Sequence, residues 1–208
     1  MAQVVTPRRL KIAGGVLGAV LLVFIGYAAG WLTPRLSTPG ESSPEAGFAR
    51  DMSEHHAQAV EMGMIAYQKA SQPEIRTLGG DIALTQQGQI GVMQTWLKDW
   101  GLGPNSSRPP MAWMRDGDQA VKGNLMPGMA TREEIAMLRA ATGKDVDIRF
   151  LQYMLRHHLG GVHMAQEVLK LDPGPEVREL AETMIRNQSG EIQVLRTMLG
   201  KLGATPLN

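Results

Sequence analysis

Residues 52–62 read MSEHHAQAVEM and residues 154–164 read MLRHHLGGVHM. Each stretch has a Met, an adjacent His pair beginning three residues later, and a second Met six residues beyond the pair. The five His of the chain (His55, His56, His157, His158 and His163) all lie in these two stretches. Sliding the chain over itself by 102 residues superposes them, and the register continues without a gap. Residues 48–101 and 150–203 are identical at 17 of 54 positions, from Phe48/Phe150 through Pro73/Pro175, Arg76/Arg178 and Gln86/Gln188 to Gly101/Gly203. Self-similarity over that length is an internal duplication. Apolar residues fall at helical spacings along it, so the repeated unit is a helical hairpin. Two hairpins, neither able to bury its own apolar face, predict an all-α four-helix bundle with approximate two-fold symmetry.

Local signals place the helices. Ser43 before Pro44 and Glu45 reads as an N-cap with Pro at the first helical position, opening a helix to about Ala70. The second helix runs from Pro73 to Trp100, where Gly101 ends it. Residues 102–130 are irregular and carry an MPGM turn at 126–129. Thr131 and Glu134 make a capping box for a short helix ending near Gly143. The third long helix is expected from about Asp145 to Leu171, and the fourth, after Pro173-Gly174-Pro175, to about Leu202.

The N-terminus has a different character. Residues 12–32 carry no charged side chain and follow Arg8, Arg9 and Lys11. Twenty-one residues at 1.5 Å each span roughly 30 Å, a bilayer core, and the flanking cations place the N-terminus in the cytoplasm. The expected organisation is a cytoplasmic N-terminus at 1–11, a transmembrane helix or signal segment at 12–32, a Pro/Ser/Gly-rich linker at 33–47 and the bundle at 48–208. The working domain is then extracytoplasmic: on the cell membrane by a single pass, or secreted if the segment is cleaved.

Composition removes several function classes. Without Cys there is no disulfide, thiolate metal site or catalytic thiol. The 21 basic and 20 acidic residues are scattered, so nothing resembles a nucleic-acid footprint. No cofactor motif, nucleophile–base set or carboxylate pair marks an enzyme.

What remains is the repeated stripe. Met52, His55, His56, Ala59 and Met62 share one helix face, and Met154, His157, His158, Gly161 and Met164 share the matching one. The symmetry turns the two faces towards a common interior. Thioether and neutral imidazole are uncharged, soft-to-borderline donors; they favour copper, above all Cu(I), over ions that want oxygen, while imidazole also serves other transition metals. His163 is a further candidate ligand. Met126 and Met129 in the MPGM turn are candidates to reach over a bundle end. Met64 has Gln166 as its counterpart and is a weaker candidate, while Met111 and Met114 read as packing around Trp113.

The pattern F-x3-M-x2-HH-x3-V-x-M, then MPGM, then FLQYMLRHH-x4-HM resembles the bacterial family catalogued as domain of unknown function three hundred and five. The resemblance covers residues 45–203. It implies a ferritin-like four-helix bundle, secreted or membrane-tethered, of a kind linked in some members to copper binding and copper resistance. Carried over by position, it implicates Met52, His55, His56, Met62, Met126, Met129, Met154, His157, His158, His163 and Met164. The chain departs from the family at LGGVHM, residues 159–164, where an acidic residue commonly follows the His pair. The reading is therefore a metal-binding protein that holds Cu(I) or Cu(II) through His and Met and exchanges it with a donor or acceptor protein, with affinity falling through about pH 6 to 7. The alternatives are a helical interaction module without metal and a copper-dependent redox enzyme.

Overall fold

The computed structural model describes residue 15, residues 17–30 and residues 38–207. The chain divides into two compact units, Met1–Pro39 and Gly40–Asn208. In the first, residues 17–30 are helical and side chains such as Leu22 and Phe24 are exposed. The expected transmembrane helix at 12–32 lies partly outside the described residues. No helix among the described residues is long and apolar enough to cross a membrane.

The second unit is all-α. Its six helices are α1 (Pro44–Lys69), α2 (Pro73–Asp99), α3 (Gly117–Ala120), α4 (Arg132–Ala140), α5 (Lys144–Leu169) and α6 (Pro175–Lys201). Among the described residues, one isolated bridge, Lys122 to Leu125, is the extent of β pairing. The signals that place the helices are local and physical. Ser43 Oγ accepts from the Ala46 N–H at 3.2 Å, and Pro44 occupies the first turn. Thr131 and Glu134 close their capping box in both directions, at 3.1 and 2.8 Å. Pro73 and Pro175 each begin the second helix of a hairpin, where a missing N–H costs nothing. The unit starts at Gly40, so part of the Pro/Ser/Gly-rich stretch packs into the bundle. A Cβ on Gly47 would lie 2.5 Å from the Trp113 indole, and that ring meets Phe48 edge-on at 5.7 Å. The short α3 has no counterpart among the expected helices.

The two hairpins, α1–α2 and α5–α6, meet along α1 and α5, with α4 against both. The core falls into two clusters that exchange the halves of the repeat. One holds Met62 from α1 with Met154 and Phe150 from α5; the other holds Met52 and Phe48 from α1 with Met164 from α5. That is the pairing of helices running in opposite directions about a pseudo-two-fold axis. At one end, Asp147 near the start of α5 is fully buried and accepts from the Ser71 backbone N–H and hydroxyl just past α1.

Candidate metal centre

The axis passes where α1 and α5 each present an adjacent His pair. His55, His56, His157 and His158 have no solvent exposure. The His55 and His157 rings face one another at 3.7 Å between centroids, inclined by 32°. Within each pair the rings stand 6.4 Å apart, inclined by 49° in α1 and 53° in α5. The duplication is therefore preserved in ring orientation as well as in sequence.

Three of the rings are held by the outer nitrogen. His55 Nε2 donates to the Pro127 carbonyl oxygen at 3.0 Å, His56 Nε2 to Gln89 Oε1 at 2.7 Å, and His158 Nε2 to Glu191 Oε2 at 2.6 Å. A carbonyl and a carboxylate only accept, so Nε2 carries the proton in His55 and His158; the amide oxygen imposes the same tautomer on His56. In all three the opposite nitrogen, Nδ1, has a free lone pair. None of these Nδ1 atoms has a hydrogen-bond partner, and neither does either ring nitrogen of His157. A buried donor or acceptor left unpaired costs on the order of 1–3 kcal/mol, so five unpaired ring nitrogens in one layer are not a neutral feature of packing.

Burial also fixes the protonation state. It lowers His55 to about 4, partly opposed by the Pro127 hydrogen bond. It lowers His56 to about 3, with His55 adding to the effect and Gln89 opposing it. His157 is pushed well below the usual imidazole range by burial first and then by the neighbouring imidazoles. These three rings are neutral at physiological pH, the state in which nitrogen can ligate.

The sulfur donors flank this layer. Met52, Met62, Met154 and Met164 are all fully buried, with Met62 and Met154 in one core cluster and Met52 and Met164 in the other. Met126 joins the second cluster at 3% exposure. Met129 is only partly buried, packs on the same cluster and lines a surface cavity of about 500 Å³ with Met126, Pro127, Arg156 and His163. The fifth histidine is not brought to the other four. The His163 side chain is 48% exposed, and its Nδ1 lies 3.9 Å from Glu167 Oε1. Met64 is exposed as well, at 40%. Met111 and Met114 are buried in the Trp113 cluster.

The MPGM turn covers the layer from one side. Gly128 adopts φ +78, a left-handed conformation suited to Gly, and a Cβ there would stand 2.3 Å from the Arg156 carbonyl oxygen. A Cβ on Gly160 would stand 1.9 Å from the Pro127 oxygen. Gln58 grips the far end of the turn, donating to the Ala130 carbonyl at 2.9 Å and accepting from its N–H at 2.7 Å.

Four polar residues of the site escape motif reading. Gln89 and Glu191 hold the His rings, and Gln86 and Gln188 are buried with unpaired amide atoms. The Gln86/Gln188 identity is visible in the repeat, and Gln89/Glu191 occupy matching positions of it. Among the described residues, no three His, Asp or Glu side chains stand together as a ligand set on their own. The donors present are imidazole nitrogens flanked by thioether sulfurs, which fits a soft ion better than one demanding a carboxylate cage.

Comparisons with known proteins show what the chain is similar to. The family model described as Domain of unknown function (DUF305) matches residues 45–199. A DUF305 protein from Streptomyces coelicolor is 41% identical with a TM-score of 0.75, covering 81% of this chain and 99% of its own. A DUF305 fragment from Deinococcus radiodurans is 34% identical with a TM-score of 0.61, covering 79% and 99%. CopM in its Cu(II)-bound form is 29% identical with a TM-score of 0.59, covering 76% and 96%; CopM structures in Cu(I)-bound and Ag-bound forms are similar too. No curated protein matches.

Proposed function

The chain belongs to the DUF305 family, and from that premise we propose that it binds copper through buried His and Met and releases it again without catalysis. One observation carries the reading: five unpaired imidazole nitrogens in a layer with no solvent exposure, three of the rings held from behind by an acceptor on Nε2. Histidines that ligate metals are held in this way, with the outer N–H bonded to a carbonyl or carboxylate that fixes the tautomer and raises the basicity of the inner nitrogen. The copper- and silver-bound forms of CopM, a structural neighbour, support copper as the ion.

In this reading His55, His56 and His158 offer Nδ1, His157 offers either nitrogen, and Met52, Met62, Met154 and Met164 supply sulfur from both sides. Bound copper would supply Lewis acidity matched to these soft donors. The chain's part is to keep His55, His56 and His157 neutral, hold the ring tautomers and exclude water. The cargo is exchanged with a donor or acceptor protein, and the protein works outside the cytoplasm, tethered by its N-terminal segment or released.

Melting the protein with and without Cu(I) or Ag(I) tests this. A ligand that binds only the folded state at a hundred times its Kd stabilises by about 2.7 kcal/mol, a rise of several degrees. A melting curve indifferent to both ions would leave the helical interaction module as the better description.

A further inference from the structure

The register of the duplication pairs Gln89 with Glu191, each 33 residues beyond the second His of its own half. Both partners accept from that ring's Nε2, at 2.7 Å in the first half and 2.6 Å in the second. The rings are equally buried, and each leaves Nδ1 unpaired. The two halves are alike in their inner donors and differ in the charge of the group behind them: a neutral amide behind His56 and a carboxylate behind His158. The Glu191 side chain is 25% exposed, so the carboxylate sits where the bundle meets solvent while its partner lies inside.

We propose that Glu191 is the positioning residue that sets which ionic charge the centre prefers, biasing it towards a doubly charged ion, while Gln89 leaves its own half suited to a singly charged one. The inference rests on the metal-binding reading above and adds charge selectivity to it. Its basis is Coulombic: one imidazole away from a bound ion, a carboxylate attracts that ion in proportion to its charge. A neutral amide holds the same tautomer without that bias. Removing a carboxylate partner of a ligating His costs about 10–100-fold in metal affinity. For an ion of half the charge the Coulombic loss is the square root of that, about 3–10-fold.

Equilibrium titration of the full chain with Cu(II) and with Ag(I), each against a competing chelator, tests this in three proteins: wild type, Glu191→Gln and Gln89→Glu. Glu191→Gln keeps an acceptor for His158 and removes only the charge. It should weaken Cu(II) about tenfold or more and Ag(I) distinctly less, lowering the ratio of the two affinities. Gln89→Glu should raise that ratio, and because it adds a charge it reads the effect even if Glu191→Gln folds poorly. Equal losses for both ions in Glu191→Gln, or an unchanged ratio in Gln89→Glu, would overturn the proposal and leave Glu191 a structural contact. A wild-type chain that takes up neither ion removes the metal-binding reading itself, a result distinct from either of those.

Discussion

The α1–α2 and α5–α6 hairpins descend from one unit, and the contrast between them separates what the duplication preserved from what came after. Facing the axis they agree: the same two His, the same two Met, the same buried Gln, with ring pairs 6.4 Å apart in both. One shell further out they diverge. His55 is bonded to the MPGM turn, whereas its counterpart His157 has neither nitrogen paired. Gln89 faces Glu191 in register, Glu61 bonds to Arg139 at 2.6 Å while its counterpart His163 sits exposed by Glu167, and the Gly63/Gly79 crossing of the first hairpin is Ala165/Ala181 in the second. Gly63 and Gly79 approach so closely that a Cβ on either would lie within 2.7 Å of the other's carbonyl oxygen. Symmetry survives in the facing His and Met and has been lost in several of the groups around them, the pattern expected if, as proposed, those side chains hold a metal while the surroundings of each half are free to differ.

The most severe way to break the comparison is to delete one half's donors. If both halves serve one centre, His157→Ala/His158→Ala should lower copper affinity by at least about 100-fold, and His55→Ala/His56→Ala should do the same. Halved stoichiometry at unchanged affinity, read by calorimetry, would instead mean that each hairpin binds alone.

Acid probes the same layer without mutation. His55 and His56 titrate at about 4 and about 3 in the folded chain, against 6.5 for a free imidazole. Below pH 6.5 the unfolded chain therefore binds more protons than the folded one, and stability falls as the pH drops towards the folded values. Each tenfold loss of proton affinity on folding is worth about 1.4 kcal/mol, so acid removes on the order of a few kcal/mol per ring. Urea titrations of the metal-free protein from pH 7 to pH 4 should show the midpoint dropping steadily, and His55→Ala/His56→Ala should flatten the decline. For His55 and His56 the same burial moves proton competition with copper below the pH 6 to 7 window that unperturbed histidines imply, because rings already neutral at pH 5 have no proton to displace.

Much of this was legible in the chain because its signals are local or repeated. Ser43, Thr131, Pro73 and Pro175 act within a turn of themselves, and each stands where its chemistry places it. The repeat carried the rest of the fold, since two copies of a half-buried hairpin have one obvious way to cover each other. His163 stands apart from the buried four because adjacency in sequence is not adjacency on a helix. Five residues beyond His158 it has turned about 140° from that ring, off the inner face. Gln89 and Glu191 leave no mark in a register of identities, because they match in position and role but not in type. The docking of the MPGM turn is non-local; no spacing within residues 126–129 announces that the Pro127 carbonyl will meet a ring 72 residues earlier.

That turn supplies the sharpest test of how the symmetry is broken. Gln58 and Gly160 occupy matching positions, yet both serve the same loop: Gln58 by gripping Ala130 with its amide, Gly160 by having no side chain where Pro127 lies. In an ordinary helix interior, Gly→Ala stabilises by about 1 kcal/mol. Here the new Cβ would stand 1.9 Å from a backbone oxygen that cannot rotate away, so Gly160→Ala should destabilise by about 3 kcal/mol, the upper range for overpacking. Gln58→Ala loses two hydrogen bonds at a partly buried site and should cost less, about 1–2 kcal/mol. The two also differ in what they do to His55, whose Nε2 bond runs to the residue Gly160 accommodates and not to the one Gln58 holds. Gly160→Ala should therefore disturb the His55 ring nitrogen resonances in a ¹⁵N spectrum, while Gln58→Ala leaves them near their wild-type positions. Equal displacements in both variants would mean that the turn moves as one rigid piece, with the Ala130 end setting the position of Pro127.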